Sequence, residues 1–399
     1  MDMLSDRSFQ VEINNRTSRE RVLNNGLPQG SVLASFLYCV YTMDLPATHS
    51  RKFIYADDSA LAFQAKTFEE LEVKMNKDLE TMAKYYKDWR LKPNIEKTVH
   101  CIFHLNNHQA SRKLNLRLNG GTVEYTTNPE YLGNTLDRSL THRMNSERLK
   151  TKFKSRVNIV QRLAGSTWGC SAKTLRITTQ AMVLSTASYC SPVWMNSAHT
   201  NKVDTQINRA LRIVSGAVDP TELEWLYVLS NVAPPHIHRQ EAALRECSKI
   251  EMDPELPIHV DLESAPTNLR LKSRHPFWQF FRQRNDMRDM KSRWKEWWEG
   301  VTITNKHLVS DPTVEVKGFD LPRKIWVRLN RFRTGQGCCA YLMHRWKFTD
   351  SPLCQCGEIQ TMDHILRQCN IHRFTGDIND LHETNIDAIN WLKNLEVEV

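Results

Sequence analysis

Two adjacent carboxylates, Asp57 and Asp58, stand between two short apolar runs, Phe53-Ile54-Tyr55 and Ala60-Leu61-Ala62-Phe63. Runs of strand length parted by so short a polar segment predict a hairpin with Ala56-Asp57-Asp58-Ser59 as its turn and both aspartates at the apex. Upstream lies the loop Gly26-Leu27-Pro28-Gln29-Gly30-Ser31. Leu33, Phe36, Leu37, Val40 and Tyr41 follow it at helical spacing, with Ser31 as N-cap and Pro46 as stop. A loop at a helix N-terminus offers free backbone N–H groups to an anionic or polar ligand. An Asp-Asp pair in a turn is by itself an ordinary solvated turn. Here it sits on a chain of net charge +9, a balance that favours a polyanionic partner, and a divalent cation facing phosphate wants carboxylate oxygens.

Around this centre the pattern is strand, helix, strand. Val11 to Asn14 alternates into the turn signal Asn14-Asn15, a short hairpin. Thr67-Phe68-Glu69-Glu70 fits a capping box, and Phe68, Leu71, Met75, Leu79, Met82, Tyr86 and Trp89 form the apolar stripe of a long helix ended by Pro93. Val99–Phe103 and Leu114–Leu118 read as strands, the second closed by Asn119-Gly120-Gly121. Residues 50 to 135 thus predict an α/β layer with helices on a sheet. From about residue 140 helices take over. One runs through Leu149 to Ala164 with Arg148, Lys150, Lys152, Lys154, Arg156 and Arg162 on its other faces. Others are expected from Thr174 to Tyr189, from Val203 to a stop at Gly216, and after Asp219-Pro220. Pro254, Pro257, Pro266 and Pro276 mark a linker, and Phe277 to Trp298 is helical again. Its aromatics (Phe277, Trp278, Phe280, Phe281, Trp294, Trp297 and Trp298) read as a core-packing face rather than a stacking platform.

No run of about eighteen apolar residues appears, nor a basic-then-apolar leader, so the chain reads as intracellular, neither spanning a membrane nor secreted. Five of the ten cysteines are scattered and read as buried free thiols. The other five crowd between Cys338 and Cys369. Among them Cys354, Cys356, His364 and Cys369 make a Cys-x-Cys-x7-His-x4-Cys set that would close a structural tetrahedral Zn2+ site, with Cys338, Cys339, His344 and His372 as competitors.

Several blocks in order carry a family resemblance: Gly26 to Leu33, Asp44-Leu45-Pro46, Tyr55-Ala56-Asp57-Asp58, Leu91-Lys92-Pro93-Asn94 with Lys97-Thr98, and Tyr131-Leu132-Gly133. They resemble reverse transcriptases of non-LTR retrotransposons, the jockey-like group in particular. Leu163 to Gly169, Tyr189 to Trp194 and Leu329 to Gly335 extend the likeness over nearly the whole chain, and tails of jockey-like elements carry similar Cys/His sets. The resemblance implies an α+β chain: a partial palm (1–137), a helical thumb (138–250), a linker and aromatic helical segment (251–320), and a C-terminal zinc-knuckle region (321–399). It implies RNA-directed DNA polymerisation from an RNA template and DNA primer, with deoxynucleoside triphosphates and Mg2+ or Mn2+. Asp57 would bind the metal with Asp58 beside it. Gly26, Pro28, Gln29, Gly30, Ser31 and Tyr55 would lie against template and nucleotide, Lys97 near the triphosphate, and Tyr131, Leu132 and Gly133 against the primer. Arg148, Lys152, Lys154 and Arg156 are either a face for the product duplex or a solvated surface. Arg331, Arg333, Arg345, Lys347, Arg367 and Arg373 surround the knuckle as a nucleic-acid contact, RNA above all.

One departure stands out. The family places another metal-binding aspartate upstream of the Gly26 loop in a block Asp-x-x-x-Ala-Phe-Asp, and the 25 residues before Gly26 hold none, Asp2 and Asp6 lying close to the loop. A truncated polymerase, inactive alone, is the expectation, the alternative being a non-catalytic nucleic-acid-binding protein. A smaller departure is Ala34-Ser35, where the family usually has Ser-Pro.

Overall fold

The computed structural model describes residues 5–23, 26–28, 30–104, 106, 108–265 and 277–399. The chain divides into two compact units, Met1–Ser139 and Leu140–Val399, the first of helices with small sheets and the second almost wholly helical. Among the described residues no helix is long and apolar enough to cross a membrane.

Among the described residues of the first unit the expected single sheet is replaced by six separate two-stranded pairs. The strands are two to five residues long, and most pair with their sequence neighbour across a tight turn. Asn14 and Asn15 turn the Glu12–Ile13/Arg16–Thr17 hairpin at φ 52° and 58°, values that Asn tolerates better than most residues. Asn119 and Gly120 do the same for Arg117–Leu118 and Gly121–Thr122. One pair is parallel, Val99–His100 with Glu124–Tyr125. The long helix Phe68–Asp88 is opened by Thr67, whose hydroxyl accepts from the Glu70 amide at 3.1 Å, the first half of the expected capping box. It ends five residues before Pro93, and Arg90 turns the chain at φ 53°. Leu79 on this helix packs with Ile102, Leu114, Leu116, Leu118 and Val123 to make the unit's core.

The second unit holds two large cores. Phe153, Val157, Trp194, Ile207, Leu211, Leu226 and Trp294 form one; Trp225, Trp298, Trp326, Leu329, Phe332, Ile365 and Leu366 contribute to the other. Trp294, Trp298 and Phe280 are buried, so the aromatic segment packs as expected, in two helices, Phe277–Gln283 and Met290–Glu299. Gly216 stops helix Asn201–Ser215 at φ 73°, and a Cβ there would strike Val327 Cγ2 at 2.3 Å. The helix expected at Asp219-Pro220 starts at Leu223, because residues 218–221 form a turn held by Arg212, which donates to the carbonyls of Asp219 and Thr221. The proline-marked segment contains a short helix, Ile258–Glu263; Pro266 and Pro276 lie outside the described residues. All ten cysteines are free, yet of the five scattered ones only Cys247 is buried, and Cys39 is exposed.

Candidate functional site

The hairpin is Arg51–Tyr55 paired with Asp58–Ala62, and its last pair is Tyr55 with Asp58. The turn is therefore two residues, Ala56-Asp57, rather than four. Asp57 is in the turn and Asp58 opens the second strand. Ala56 takes φ 51°, a conformation that L-residues with a Cβ seldom adopt. Residues 55–59 are exposed, and so are Phe53 and Ile54 behind them.

What fixes the hairpin is a carboxylate that the periodicity argument passed over. Asp78, 1% exposed, accepts from the amides of His49 (2.9 Å) and Ser50 (2.7 Å), from the Ser50 hydroxyl and from His49 Nδ1 (2.8 Å). Burial alone would raise its pKa, but these hydrogen bonds outweigh it and hold the carboxyl below its ordinary value. The signal was an acid inside the apolar stripe, between Met75 and Met82. Lys52 adds a second anchor by donating to the carbonyls of Leu45 and Pro46.

Two tyrosines show what gathers at the tip. Tyr38, on helix Val32–Tyr41 behind the Gly26–Ser31 loop, has its phenol pKa raised by burial and then by Asp57. Tyr131 is raised by burial and then by Asp58. Tyr131 belongs to Glu130–Tyr131, paired with Asn134–Thr135 around Leu132-Gly133, where Leu132 also takes a positive φ, 47°. Tyr38 and Tyr131, from blocks far apart in sequence, thus each feel the charge of one of the aspartates. Gly26 and Gly30 have φ 84° and 87° with open space where a Cβ would be, Pro28 is half-buried, and Ser31 is the N-cap residue though its hydroxyl does not cap. The helix ends at Tyr41, ahead of Pro46. Lys97 is exposed at the end of a 3-10 turn whose Asn94 caps its amide. Gln29 and Asp2 lie outside the described residues. Among the described residues no third ligand joins Asp57 and Asp58 to make a metal cage.

The C-terminal set differs. The ligand atoms of Cys354, Cys356, His364 and Cys369 all lie within 4.8 Å of one another, the one group of three or more such atoms among the described residues. Cys354 and Cys369 sulfurs are 3.8 Å apart, and Cys356 Sγ is 3.2 Å from His364 Nε2. A tetrahedron with ~2.3 Å metal–sulfur bonds puts two thiolates ~3.8 Å apart. Gly357, at φ 93°, folds the first two cysteines into a tight turn closed by Cys354 N–H to the Glu358 carbonyl at 2.7 Å. His364 and Cys369 span a π-helical turn, His364–Gln368, closed by Cys369 N–H to the His364 carbonyl at 2.8 Å. That wider turn stacks residues five apart, which an α turn does not, and this is how a His-x4-Cys spacing converges. Burial acts to raise the Cys354 thiol, but hydrogen bonding to the Cys356 backbone, Gln360, His364 and Cys369 brings it down to about 6. The donor set fits a tetrahedral soft-ligand cation such as zinc. Of the competitors, Cys339 is buried in an apolar core.

The basic residues divide. Lys152 and Lys154 are exposed on helix Arg143–Gln161, and so is Arg148, but Arg156 turns inward and donates to the Met182 carbonyl (2.5 Å) and the Thr186 hydroxyl. Around the Cys/His set, Arg345, Lys347, Arg367 and Arg373 are exposed. Arg331 and Arg333 are not on that surface. Arg333 is fully buried and donates to the carbonyls of Lys317 and His382 (2.8 Å each) and to Asn330 Oδ1, while Arg331 donates to the carbonyls of Gly216 and Val399. With Arg323, Trp326 and Asn330, Arg331 satisfies the carbonyls of residues 213–216 at the end of helix Asn201–Ser215. The Leu329–Gly335 block is a structural brace.

Residues 2–136 match the family described as Reverse transcriptase (RNA-dependent DNA polymerase). The first part of this chain therefore carries a reverse-transcriptase domain, and the resemblance to non-LTR elements holds. In particular, the chain is 32% identical over 231 residues to the probable RNA-directed DNA polymerase from transposon BS of Drosophila melanogaster, covering 53% of this chain and 24% of that protein. It is 26% identical over 223 residues to the RNA-directed DNA polymerase from mobile element jockey of Drosophila funebris, with 53% and 24% covered. A retrovirus-related Pol polyprotein from the type-1 retrotransposable element R1 of Bradysia coprophila aligns over 90% of this chain and 36% of its own length at 22% identity. The chain spans about a quarter of the length of the transposon BS and jockey relatives. No solved structure matches it.

Proposed function

We propose that this chain is the palm-end, thumb and tail portion of a non-LTR retrotransposon RNA-directed DNA polymerase, with residues 1–137 as partial palm, 138–250 as thumb, 251–320 as connecting segment and 321–399 as zinc-bearing tail. The observation that supports the reading is the exposed Asp57-Asp58 pair at the tip of the Arg51–Tyr55/Asp58–Ala62 hairpin, inside the residues that match the reverse-transcriptase family. Asp57 and Asp58 would hold Mg2+ or Mn2+, which activates a 3′ hydroxyl and stabilises leaving pyrophosphate. Gly26 to Ser31, Tyr55 and Lys97 would face template and nucleotide, and Tyr131 to Gly133 the primer strand. Cys354, Cys356, His364 and Cys369 would hold Zn2+.

Among the described residues no third ligand joins Asp57 and Asp58, and two carboxylates alone do not clamp two metals, so the expectation for these 399 residues is binding of an RNA–DNA duplex without extension. Primer extension with Mg2+ or Mn2+ tests this. No synthesis is expected, and template-dependent synthesis lost in Asp57→Asn overturns the inactivity. The second reading, a non-catalytic nucleic-acid binder, is favoured by the exposed Lys152 and Lys154 in the unit that lacks the aspartates. Both readings require duplex binding that weakens steeply with salt.

A further inference from the structure

The segment Leu163 to Gly169 has no role in what precedes, yet it is built with care. It leaves the end of the basic helix and doubles back at once: Gly165 N–H donates to the Trp168 carbonyl and Cys170 N–H to the Leu163 carbonyl, both at 3.0 Å, and Ala164 bridges Gly169. Gly169 sits at φ 103°, where a Cβ would be 2.4 Å from the Leu163 carbonyl oxygen and the Ala164 Cα, so only glycine closes the turn. From below, buried Arg323 donates to the Gly165 carbonyl at 2.9 Å. A Cβ on Gly165 would stand 2.5 Å from Trp168 Nε1 and 3.0 Å from its Cε2, so the indole rests against bare glycine backbone.

That backing leaves Trp168 60% exposed. An indole pinned on one side and open on the other has given up its freedom without gaining burial. Such a surface suits a flat, apolar partner that needs no specific hydrogen bond. The charge nearby says which. Lys154 and Arg162 are exposed, Lys154 on the helix and Arg162 at its C-cap, about 80° apart around the axis, and neither has an ion pair among the described residues. Cations tracking a backbone beside an aromatic platform are the features of a single-strand or strand-end site.

We propose that Trp168 is a stacking platform for one nucleobase, on a strand whose phosphates run along Arg162 and Lys154. This rests on the nucleic-acid reading above and adds a site to it. The test is fluorescence anisotropy of the full chain with labelled oligonucleotides across a salt series. Trp168→Ala lowers affinity about tenfold, the loss of one stacked base, and leaves the log–log salt slope unchanged. Trp168→Phe retains most of the affinity, and Gly165→Ala, which lifts the indole, behaves like Trp168→Ala. Alanine at Lys154 or Arg162 lowers the slope by roughly 0.7 per contact on a single strand. An abasic oligonucleotide removes the difference between the parent chain and Trp168→Ala, a readout that a loop defect does not reproduce. Equal loss on a blunt duplex identifies a terminal pair, and loss on the single strand alone an unpaired base. If the parent chain binds but Trp168→Ala and abasic probes change nothing, the platform is refuted while the nucleic-acid reading stands. If the parent chain binds no nucleic acid, both fall.

Discussion

The two candidate metal sites are built on opposite plans. Cys354, Cys356, His364 and Cys369 come from one sixteen-residue stretch and close on one another, with three of the four buried. Asp57 and Asp58 sit on a two-stranded hairpin, exposed, with no third ligand among the described residues. A site assembled from local turns is complete wherever its stretch is present. A site whose ligands come from separate strands closes only where every strand is in place, and at this hairpin Phe53, Ile54 and Tyr55 beside the aspartates are exposed.

The largest effect that would break this contrast is at the Cys/His set. His364–Gln368 supplies both ligand geometry and two core residues, Ile365 and Leu366, so losing the metal should loosen the adjoining core. Cys369→Ser should abolish stoichiometric zinc and lower the melting temperature of the second unit by many degrees, as chelation should in the parent chain. Unchanged zinc content by elemental analysis would remove Cys369 from the ligand set.

Next is the brace. Arg333→Met leaves the carbonyls of Lys317 and His382 without their donor, a loss of roughly 3 kcal/mol. The same brace makes the second unit acid-sensitive. Arg333 Nε donates to His382 Nδ1 at 3.1 Å, which requires a neutral imidazole, and burial, then Arg333 and His307, depress that histidine to about 4. A depressed histidine keeps its full contribution above its unfolded value of ~6.5 and loses it as pH falls toward 4. Denaturant midpoints between pH 7 and pH 4 should therefore drop, and less in His382→Gln. A parallel decline in both proteins would assign the acid sensitivity elsewhere.

How much of this was legible in advance depends on how far each cause lies along the chain. The turns at Asn14-Asn15 and Asn119-Gly120, the Thr67 cap and the Gly216 stop were readable because the residue that tolerates the backbone conformation is itself the signal. The Cys/His set was readable for the same reason, although the π turn that makes its spacing work was not. The sheet was misread because strand-like runs say nothing about which partner they find, and most of these found their neighbours. Arg156, Arg331 and Arg333 looked like surface charges. Their acceptors at Met182, Gly216, Lys317 and His382 lie 16 to 115 residues away and leave no local mark. Ala56 and Leu132, both at positive φ with side chains that disfavour it, had no signal at all.

Asp78 is the buried carboxylate that holds the segment leading into the aspartate hairpin, through His49 and Ser50. Asp78→Ala removes the acceptor of two backbone amides and a hydroxyl and should cost the first unit about 2 kcal/mol. Because its carboxyl is held below the ordinary range, that contribution is complete above the unfolded value of ~3.9 and fades as pH falls beneath it. Hydrogen exchange should show faster opening of residues 50–62 in the variant at pH 7, and a shrinking difference from the parent chain below pH 4. A difference that persists unchanged at low pH would mean that Asp78 acts through packing alone.

The smallest expected effect sharpens the contrast most. Asp57→Asn changes an exposed turn residue with no structural bond to lose, so the melting temperature and exchange of the hairpin should stay where they are. The divalent-ion response is what should move. A carboxylate kept for metal and not for folding predicts that Mn2+ broadens nuclear resonances of Tyr55, Asp58 and Tyr131 in the parent chain and much less in Asp57→Asn. If the substitution destabilises the hairpin and leaves the Mn2+ broadening intact, Asp57 is a structural turn residue and the metal reading of this site is wrong.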